Sequence, residues 1–406
     1  MSPQKATRQH TKVHNRDLVL STIFAHKTIS RAEIARITNL TRTTVSSIVS
    51  FLLKQGLVEE VGFGESIGGK SPVLLSLIPD ARYLIGMELA QDKFIGAVIN
   101  LRGEIIETIE IRVSDNNGEQ ALSLVYQILD KLVSGLWKPI IGIGVGTPGL
   151  VNTKEGIVIN AVNLDWQNLP LAKLLTTRYG IPVSVLNDSQ AAAVGEYVYG
   201  NNHQPEGNLI VVNVKQGIGA GILINGHLFQ GDGGGAGEIG HVVVQKDGLL
   251  CRCGKRGCLE TIASARAVLQ RIDSMAPQYP ESGLLAAPDG VSLADVKKAF
   301  DSGDPLARRI VRDAAHYLGV SIANLISTLN IQKIVLTGEM IVFGEPWLQI
   351  VRKAMLQAAL TKIAQDTELE IGKIGFQGCV LGASVSMLMN GYNLLFQSYS
   401  TDKVNS

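Results

Sequence analysis

The residues with the most specific chemistry are three cysteines that fall within eight positions of one another. Cys251, Cys253 and Cys258 follow the pattern Cys-x-Cys-Gly-x-x-Gly-Cys, and its glycines let a short loop fold back so that several thiolates reach one ion. A tetrahedral zinc needs a fourth ligand, and His241 is the nearest histidine upstream. The alternative is a disulfide, or reduced thiols in a glycine-rich loop. Because the chain has only four cysteines in 406 residues, as is typical of a reducing compartment, we expect zinc.

A second group of residues has the types that suit a small polar ligand. Gly149 lies in a glycine-rich turn after an apolar stretch, where the backbone can approach a ligand, although plain turns often share this pattern. Asn163 supplies an amide, and Asn187 and Asp188 follow another apolar stretch. An Asp in that position is most often a helix cap. His241 can join this group, since a histidine bound to metal through one nitrogen keeps the other N–H for a ligand hydroxyl.

The length and composition indicate a soluble globular protein with two or three domains, since 46% of its residues are hydrophobic and 18% are charged. Residues 1–70 hold ten Lys and Arg against five acids, a net charge of +5, whereas the whole chain carries +1. The remainder is therefore mildly acidic, and the basic part is expected to meet a polyanion. We expect no membrane partner and a cytoplasmic location, because no apolar run reaches ~18–20 residues and the N-terminus is not a signal peptide.

The elements that position these groups begin with an N-terminal head, residues 1–80. Ser30 and Glu33 form a capping-box pattern at the start of one helix, and Thr41 can cap the next, which we predict to run from Arg42 to Gln55. An earlier helix is predicted over residues 15–26. The segment that follows, residues 57–75, predicts two strands around a glycine-rich tip. Helix-turn-helix and wing together predict a winged helix-turn-helix.

The last helix of the head carries short polar side chains and an arginine on the outward face of its N-terminal half. Such groups can approach base edges in the major groove of double-stranded DNA, although a Ser/Thr-rich surface helix without a partner has the same composition. A lysine at the wing tip suits a phosphate or the minor groove. Because operators are usually two-fold symmetric, a homodimer or higher even oligomer is expected. The candidate DNA-binding residues are Arg42, Thr43, Thr44, Ser46, Ser47 and Lys70.

Two segments of the body open alike. Residues 83–105 and 208–226 each predict a strand, a turn and a second strand, which favours a duplicated α/β fold with a cleft between two lobes. We expect the first lobe over residues 81–205, the second, with the cysteine loop, over 206–395, and a polar tail over 396–406.

The segment Glu238-Ile-Gly-His241, followed by the cysteine pattern and Leu-Glu260, resembles the signature of the ROK family, which groups sugar-responsive repressors and sugar kinases. The wing resembles that of the xylose-repressor branch. The resemblance implies an actin-like (ribonuclease H-like) two-lobed body and a structural zinc bound by His241 and the three cysteines. It also implies sugar contacts from Glu238, Glu260 and Asp188. In the kinases of the family, the aspartate that matches Asp188 is the base that deprotonates the sugar hydroxyl.

The motifs that bind ATP in those kinases are altered here. Their Asp-x-Gly-Gly-Thr-Lys is replaced at residues 88–93 by Glu-Leu-Ala-Gln-Asp-Lys, and Gly-Thr-Gly is replaced at 215–217 by Lys-Gln-Gly. Thr-Gly-Glu at 337–339 keeps one of the customary consecutive glycines. Side chains block the approach that only glycine permits, and Asp92 repels phosphate. Loss of ATP binding is therefore predicted.

These observations favour a transcriptional repressor of carbohydrate-utilisation genes that a sugar releases from its operator. It would have no catalytic residue, with Asp188 as a vestigial base. The alternative is an ATP-dependent sugar kinase with an accessory DNA-binding head, which Asp188 favours. Regulation through a protein partner, which occurs in one branch of the family, is a third hypothesis.

Overall fold

The N-terminal head forms three helices and a three-stranded sheet of order β1-β3-β2. The computed structural model describes residues 8–65, 71–113, 117–200, 207–286 and 290–396. The predicted winged helix-turn-helix is confirmed. Its elements are α1 (Arg8–Ala25), β1 (Ile29–Ser30), α2 (Arg31–Thr38), α3 (Arg42–Lys54), β2 (Val58–Phe63) and β3 (Val73–Leu77).

Local side-chain hydrogen bonds start both α2 and α3. The Ser30 hydroxyl accepts from the Glu33 amide at 3.2 Å while the Glu33 carboxylate accepts from the Ser30 amide at 2.9 Å, which confirms the capping box. Asn39 ends α2 in the left-handed region at φ 55°. The Thr41 hydroxyl then accepts from the Thr44 amide at 3.2 Å and starts α3. These contacts determine where α2 and α3 begin and where α2 ends.

The first half of the body is a five-stranded sheet of order β11-β7-β4-β5-β6, accompanied by a small sheet of order β10-β9-β8. Its elements are β4 (Tyr83–Leu89), β5 (Lys93–Asn100), β6 (Ile105–Arg112), α4 (Gly118–Ser134), β7 (Ile140–Thr147), β8 (Leu150–Asn152), β9 (Ile157–Ala161), β10 (Trp166–Leu169), α5 (Leu171–Tyr179), β11 (Val183–Asn187) and α6 (Asp188–Tyr199).

The second half is another five-stranded sheet, of order β14-β13-β12-β15-β16. Its elements are β12 (Leu209–Val214), β13 (Ile218–Ile224), β14 (His227–Phe229), α7 (Glu260–Ala263), α8 (Ala265–Met275), α9 (Leu293–Ser302), α10 (Pro305–Leu329), β15 (Lys333–Gly338), α11 (Gly344–Ala358), α12 (Thr361–Gln365), β16 (Glu368–Ile371) and α13 (Gly378–Val385).

The two large sheets share one topology. In each, the first strand in sequence pairs antiparallel with the second and parallel with the fourth, and the fourth pairs parallel with the fifth. The first strands, β4 and β12, are buried along their whole length, as expected for central strands covered on both faces. This repetition confirms the predicted duplicated, actin-like body.

Helices α6 and α13 pack tightly against each other beside the first sheet. Helix α13 contacts β4 and β7, whereas α6 also contacts β12 and β13 of the second sheet. A Cβ on Gly382 would lie 1.7 Å from the carbonyl oxygen of Ala191, so only glycine permits this approach. The chain therefore returns to the first half near its end, and the division of the body at residue 205 stays a prediction.

The last described residues contact the head. The ring centroids of Tyr392 and Phe24 lie 5.3 Å apart, and those of Phe396 and Phe51 lie 5.4 Å apart. From the turn between β5 and β6, Arg102 donates to the carbonyl of Phe24 at 2.9 Å, which caps the end of α1. Of the predicted polar tail, residues 397–406 lie outside the described residues. Within the described ranges, no helix has the length and apolar composition needed to cross a membrane.

Candidate functional site

A cavity of about 560 Å³ is lined by residues from both halves of the body. All seven residues predicted to contact a ligand line it, although they come from widely separated parts of the chain. We call them the ligand group: Gly149, Asn163, Asn187, Asp188, Glu238, His241 and Glu260.

The start of α6 positions two members of the ligand group. The Asn187 side chain donates to the carbonyl of Gly149 at 3.0 Å and accepts from the Ser189 amide at 2.9 Å, so it ties the glycine turn to the helix. Asp188 accepts from the same amide at 2.7 Å. Burial raises the pKa of Asp188, and the ammonium of Lys215 partly opposes that rise. Asp188 thus combines the predicted helix-terminal position with a place in the cavity.

The two glutamates of the ligand group face different neighbours. Glu260 forms an ion pair with Arg266 at 2.8 Å and accepts from the Ile218 amide at 3.2 Å. Burial, with the nearby carboxylates of Asp188 and Glu260, raises the pKa of Glu238 to about 7. Glu260 is therefore held in place, whereas hydroxyl donors of a ligand would stabilise the charged form of Glu238.

The histidine of the ligand group joins the cavity to the cysteine cluster. Nδ1 of His241 lies 3.6 Å from Sγ of Cys251, while Nε2 faces the Glu238 carboxylate at 3.8 Å. One ring nitrogen is thus turned toward the sulfurs and the other toward a carboxylate in the cavity. These directions are compatible with the predicted roles of His241 in metal and ligand binding, which stay a prediction.

The cysteine cluster has the donor set of a zinc site. The ligand atoms of His241, Cys251, Cys253 and Cys258 all lie within 4.8 Å of one another. The sulfurs of Cys253 and Cys258 are 3.6 Å apart, far more than the ~2.05 Å of a disulfide. Gly254 has φ 84°, a left-handed backbone conformation that glycine adopts readily and that lets the loop turn back between the cysteines. Three thiols and one imidazole in this arrangement fit tetrahedral zinc.

A second group of cavity residues surrounds the turns between the first two strands of each sheet, and we call it the hairpin group: Glu88, Gln91, Asp92, Lys215, Gln216 and Glu339. Lys215 forms an ion pair with Glu88, and Gln216 donates to Glu339 at 2.7 Å. Burial lowers the pKa of Lys215, but Glu88, Cys379 and Asp188 together raise it by more, so the ammonium keeps its charge.

The sequence did not reveal the pairing of Lys215 with Glu88 or the contacts of Arg252. Arg252 donates to Gln91 at 3.2 Å and to Asn163 at 3.0 Å. The signal available was the change to Lys at 215 and to Glu at 88, two opposite charges at equivalent turns of a duplicated fold. The sequence carried no signal for the contacts of Arg252, because the cysteines on either side of it indicated only a metal site.

The candidate DNA interface on α3 has the divided face that was predicted. Val45 and Val49 are buried on its inner side. The outward side chains Arg42, Thr43, Ser46 and Ser47 are exposed. Thr44 is half-buried and its hydroxyl bonds to that of Thr41 at 2.9 Å, so it belongs to the helix cap as well as to this face. Lys70 lies outside the described residues.

Comparison with protein families matches the two parts of the chain separately. Residues 84–389 match the model of the ROK family, and residues 16–59 match that of winged helix-turn-helix DNA-binding domains. The xylose repressor of Caldicellulosiruptor bescii is 33% identical over 393 residues, which cover 95% of this chain and 98% of the repressor.

Two solved structures have the same architecture. The crystal structure of a ROK family transcriptional regulator, a homolog of the E. coli MLC protein, superposes with a TM-score of 0.80 at 26% identity and covers 95% of this chain and 98% of its own. A ROK family glucokinase from Streptomyces griseus, in complex with glucose and AMPPNP, superposes with a TM-score of 0.67 at 29% identity. The match covers 74% of this chain and 98% of the kinase.

Proposed function

The chain belongs to the ROK family, and on that premise we propose that it is a transcriptional repressor that a sugar releases from its operator. The head would bind double-stranded operator DNA, and the cavity of the body would bind the sugar. The protein would therefore act where the DNA is, in the cytoplasm.

The observation that carries this proposal is the coexistence of two unlike surfaces in one chain. The face of α3 exposes an arginine and hydroxyl side chains, which suit base edges and phosphates. The ligand group offers amides, carboxylates and a histidine inside a cavity, where they can bond to the hydroxyls of a sugar ring. The full-length similarity to a xylose repressor supports the same combination.

We infer that the cysteine cluster holds one structural zinc. His241 and the three cysteines would bind the ion, which would fix the loop that presents His241 and Arg252 to the cavity. Nδ1 of His241 faces the cysteines and Nε2 faces the cavity. Removal of the metal would free the ring to rotate and so would also disturb the ligand group. We further propose a homodimer, which matches the two-fold symmetry of most operators.

The alternative function is an ATP-dependent sugar kinase. Asp188 and the similarity to a glucokinase in complex with glucose and AMPPNP favour it. The hairpin group opposes it, because Asp92 and Glu339 bring carboxylates to the turns where a kinase would approach phosphates. We therefore propose that the protein has no kinase activity and that Asp188 serves in sugar binding.

Operator binding tests the proposal directly. Fluorescence anisotropy with DNA from the promoter region beside its gene should show saturable binding, and D-xylose, D-glucose or N-acetyl-D-glucosamine should weaken it. A sugar that tightens the complex would make the protein co-repressed or an activator. Failure of the purified protein to bind this DNA, together with saturable phosphorylation of a sugar by ATP, would establish the kinase instead.

A further inference from the structure

The two halves of the body are joined across the cavity by side chains that lie outside the ligand group. Glu88 belongs to the end of β4, and Lys215 follows β12, so their ion pair links equivalent strand ends of the duplicated fold. The Glu88 side chain is 5% exposed and that of Lys215 is 18% exposed. Because the pair is largely withdrawn from solvent, it is screened far less than a surface pair.

A second connection starts from the metal loop. Arg252 lies between Cys251 and Cys253, and its guanidinium reaches Gln91 at 3.2 Å and Asn163 at 3.0 Å. Both acceptors belong to the first half, whereas Arg252 belongs to the second. The loop that the metal would fix therefore also forms hydrogen bonds with the opposite side of the cavity.

We propose that Lys215 and Arg252 are closure residues, which hold the two halves together through Glu88 and Gln91 so that a sugar alone can complete closure of the cavity. This inference rests on the proposed function. In a two-lobed kinase, a bound nucleotide can contribute contacts between the lobes. Here the chain supplies those contacts itself, at the turns where the sequence departs from the kinase pattern.

The consequence for binding follows from population arithmetic. When only the closed arrangement binds a ligand, the apparent dissociation constant equals the intrinsic one divided by the closed fraction. Loss of the bridges lowers that fraction and leaves every member of the ligand group in the chain. It also removes the Arg252 bond to Asn163 and the Lys215 charge near Asp188. Sugar affinity should therefore fall, although the residues that touch the sugar remain.

The variants separate closure from folding. Lys215→Met or Glu88→Gln leaves one buried group without its partner, which destabilises the fold. The double variant K215M/E88Q removes both, so its Tm should recover toward wild type. We expect its affinity for D-xylose, D-glucose or N-acetyl-D-glucosamine, whichever gives the largest Tm shift with wild type, to stay about tenfold weaker. Recovery of both Tm and affinity would overturn the proposal.

Hydrogen exchange gives a measurement that needs no sugar. In the full-length protein, K215M/E88Q and Arg252→Ala should each speed exchange at the turns over residues 89–93 and 214–218, because closed halves protect these amides. Lys93→Met is the matched control for Lys215, since Lys93 forms an exposed pair with Glu110 in the same half. Arg256→Ala is the control for Arg252, since Arg256 is exposed in the same loop. Unchanged exchange in both bridge variants would overturn the proposal.

Metal content and operator binding distinguish a failure of the repressor proposal from a failure of the closure residues. Arg252→Ala should retain its zinc, and Arg252→Lys should recover part of the sugar affinity, since it keeps the charge but not the forked donors. Wild type that binds no operator, with bridge variants that still exchange faster, would refute the repressor and leave the closure residues in place. Wild type that responds to sugar, with bridge variants that respond equally, would refute the closure residues alone.

Discussion

Glu238 of the ligand group and Glu88 of the hairpin group line the same cavity but differ in what surrounds their carboxylates. In the hairpin group, Glu88 is bonded to Lys215 and Glu339 to Gln216. In the ligand group, Glu238 faces the carboxylates of Asp188 and Glu260. A group already paired inside the protein gains little from a ligand, whereas one that faces like charges gains much. We infer that Glu238 remains open to the hydroxyl donors of a ligand, whereas Glu88 and Glu339 are occupied by partners within the protein.

Removal of the metal should damage the ligand group most. Cys258→Ser leaves three ligands for an ion that needs four, so the loop should lose zinc and sugar binding should become undetectable by calorimetry. Metal analysis of wild type should give about one zinc per chain. Cys379→Ser is the matched control for metal content, because Cys379 is buried in α13 and does not belong to the four-residue cluster. If wild-type protein that was purified without chelator contained no metal, the zinc site would be refuted.

The next largest effect is expected from Asp188. Asp188→Asn replaces an acceptor-only carboxylate by an amide, which should weaken sugar binding by about 100-fold, or ~2.7 kcal/mol. Operator affinity without sugar should not change, because α3 lies in the head. The variant would then repress even in the presence of the sugar. Calorimetry and operator titration on the same sample check both statements, and equal losses of the two affinities would contradict them.

A substitution in the head should change operator affinity without changing sugar affinity, and so it is a control for the substitutions in the cavity. Arg42→Ala removes an exposed arginine at the start of α3, which should cost about 1–3 kcal/mol of operator affinity if Arg42 contacts a base. Sugar affinity should remain at the wild-type value. Lys54→Ala, at the other end of the same helix, should cost less. A panel of operator variants measured by anisotropy would locate the base, and a uniform loss across all sequences would indicate a phosphate contact instead.

The smallest effect is expected in the hairpin group. Glu339→Gln keeps an acceptor for Gln216 and has nearly the same shape, so sugar affinity should change by less than about twofold. ATP should not bind to this variant, because Asp92 and the side chains of Ala90 and Gln91 remain. Calorimetry with D-glucose and with AMPPNP checks both. A larger loss of sugar affinity would place Glu339 beside the ligand and remove the distinction between the two groups.

Local patterns of the sequence predicted most of the fold. The capping box of Ser30 and Glu33 and the hairpin openings of the two sheets depend on neighbours three to twenty residues apart, where spacing determines geometry. Gly149, Asn163, Asn187 and His241 were predicted from their residue types, and Asp188, Glu238 and Glu260 from the family resemblance. All seven line the cavity. In contrast, Lys215 and Glu88 are 127 residues apart in sequence. No periodicity connects them, so only the folded chain shows that they meet.

The contact of the last described turn with α1 has a consequence for the order in which the protein is made. Tyr392 and Leu395 belong to the same apolar cluster as Leu20 and Ile23, so part of the head's core is completed by residues synthesised about 370 positions later. At 5–20 residues per second, that interval is roughly 20–75 s. A nascent or prematurely ended chain would carry an incomplete head, and a chain ending at residue 390 should bind operator more weakly than the whole protein. On the proposed function, such a truncated chain would be released from an operator sooner than the complete protein.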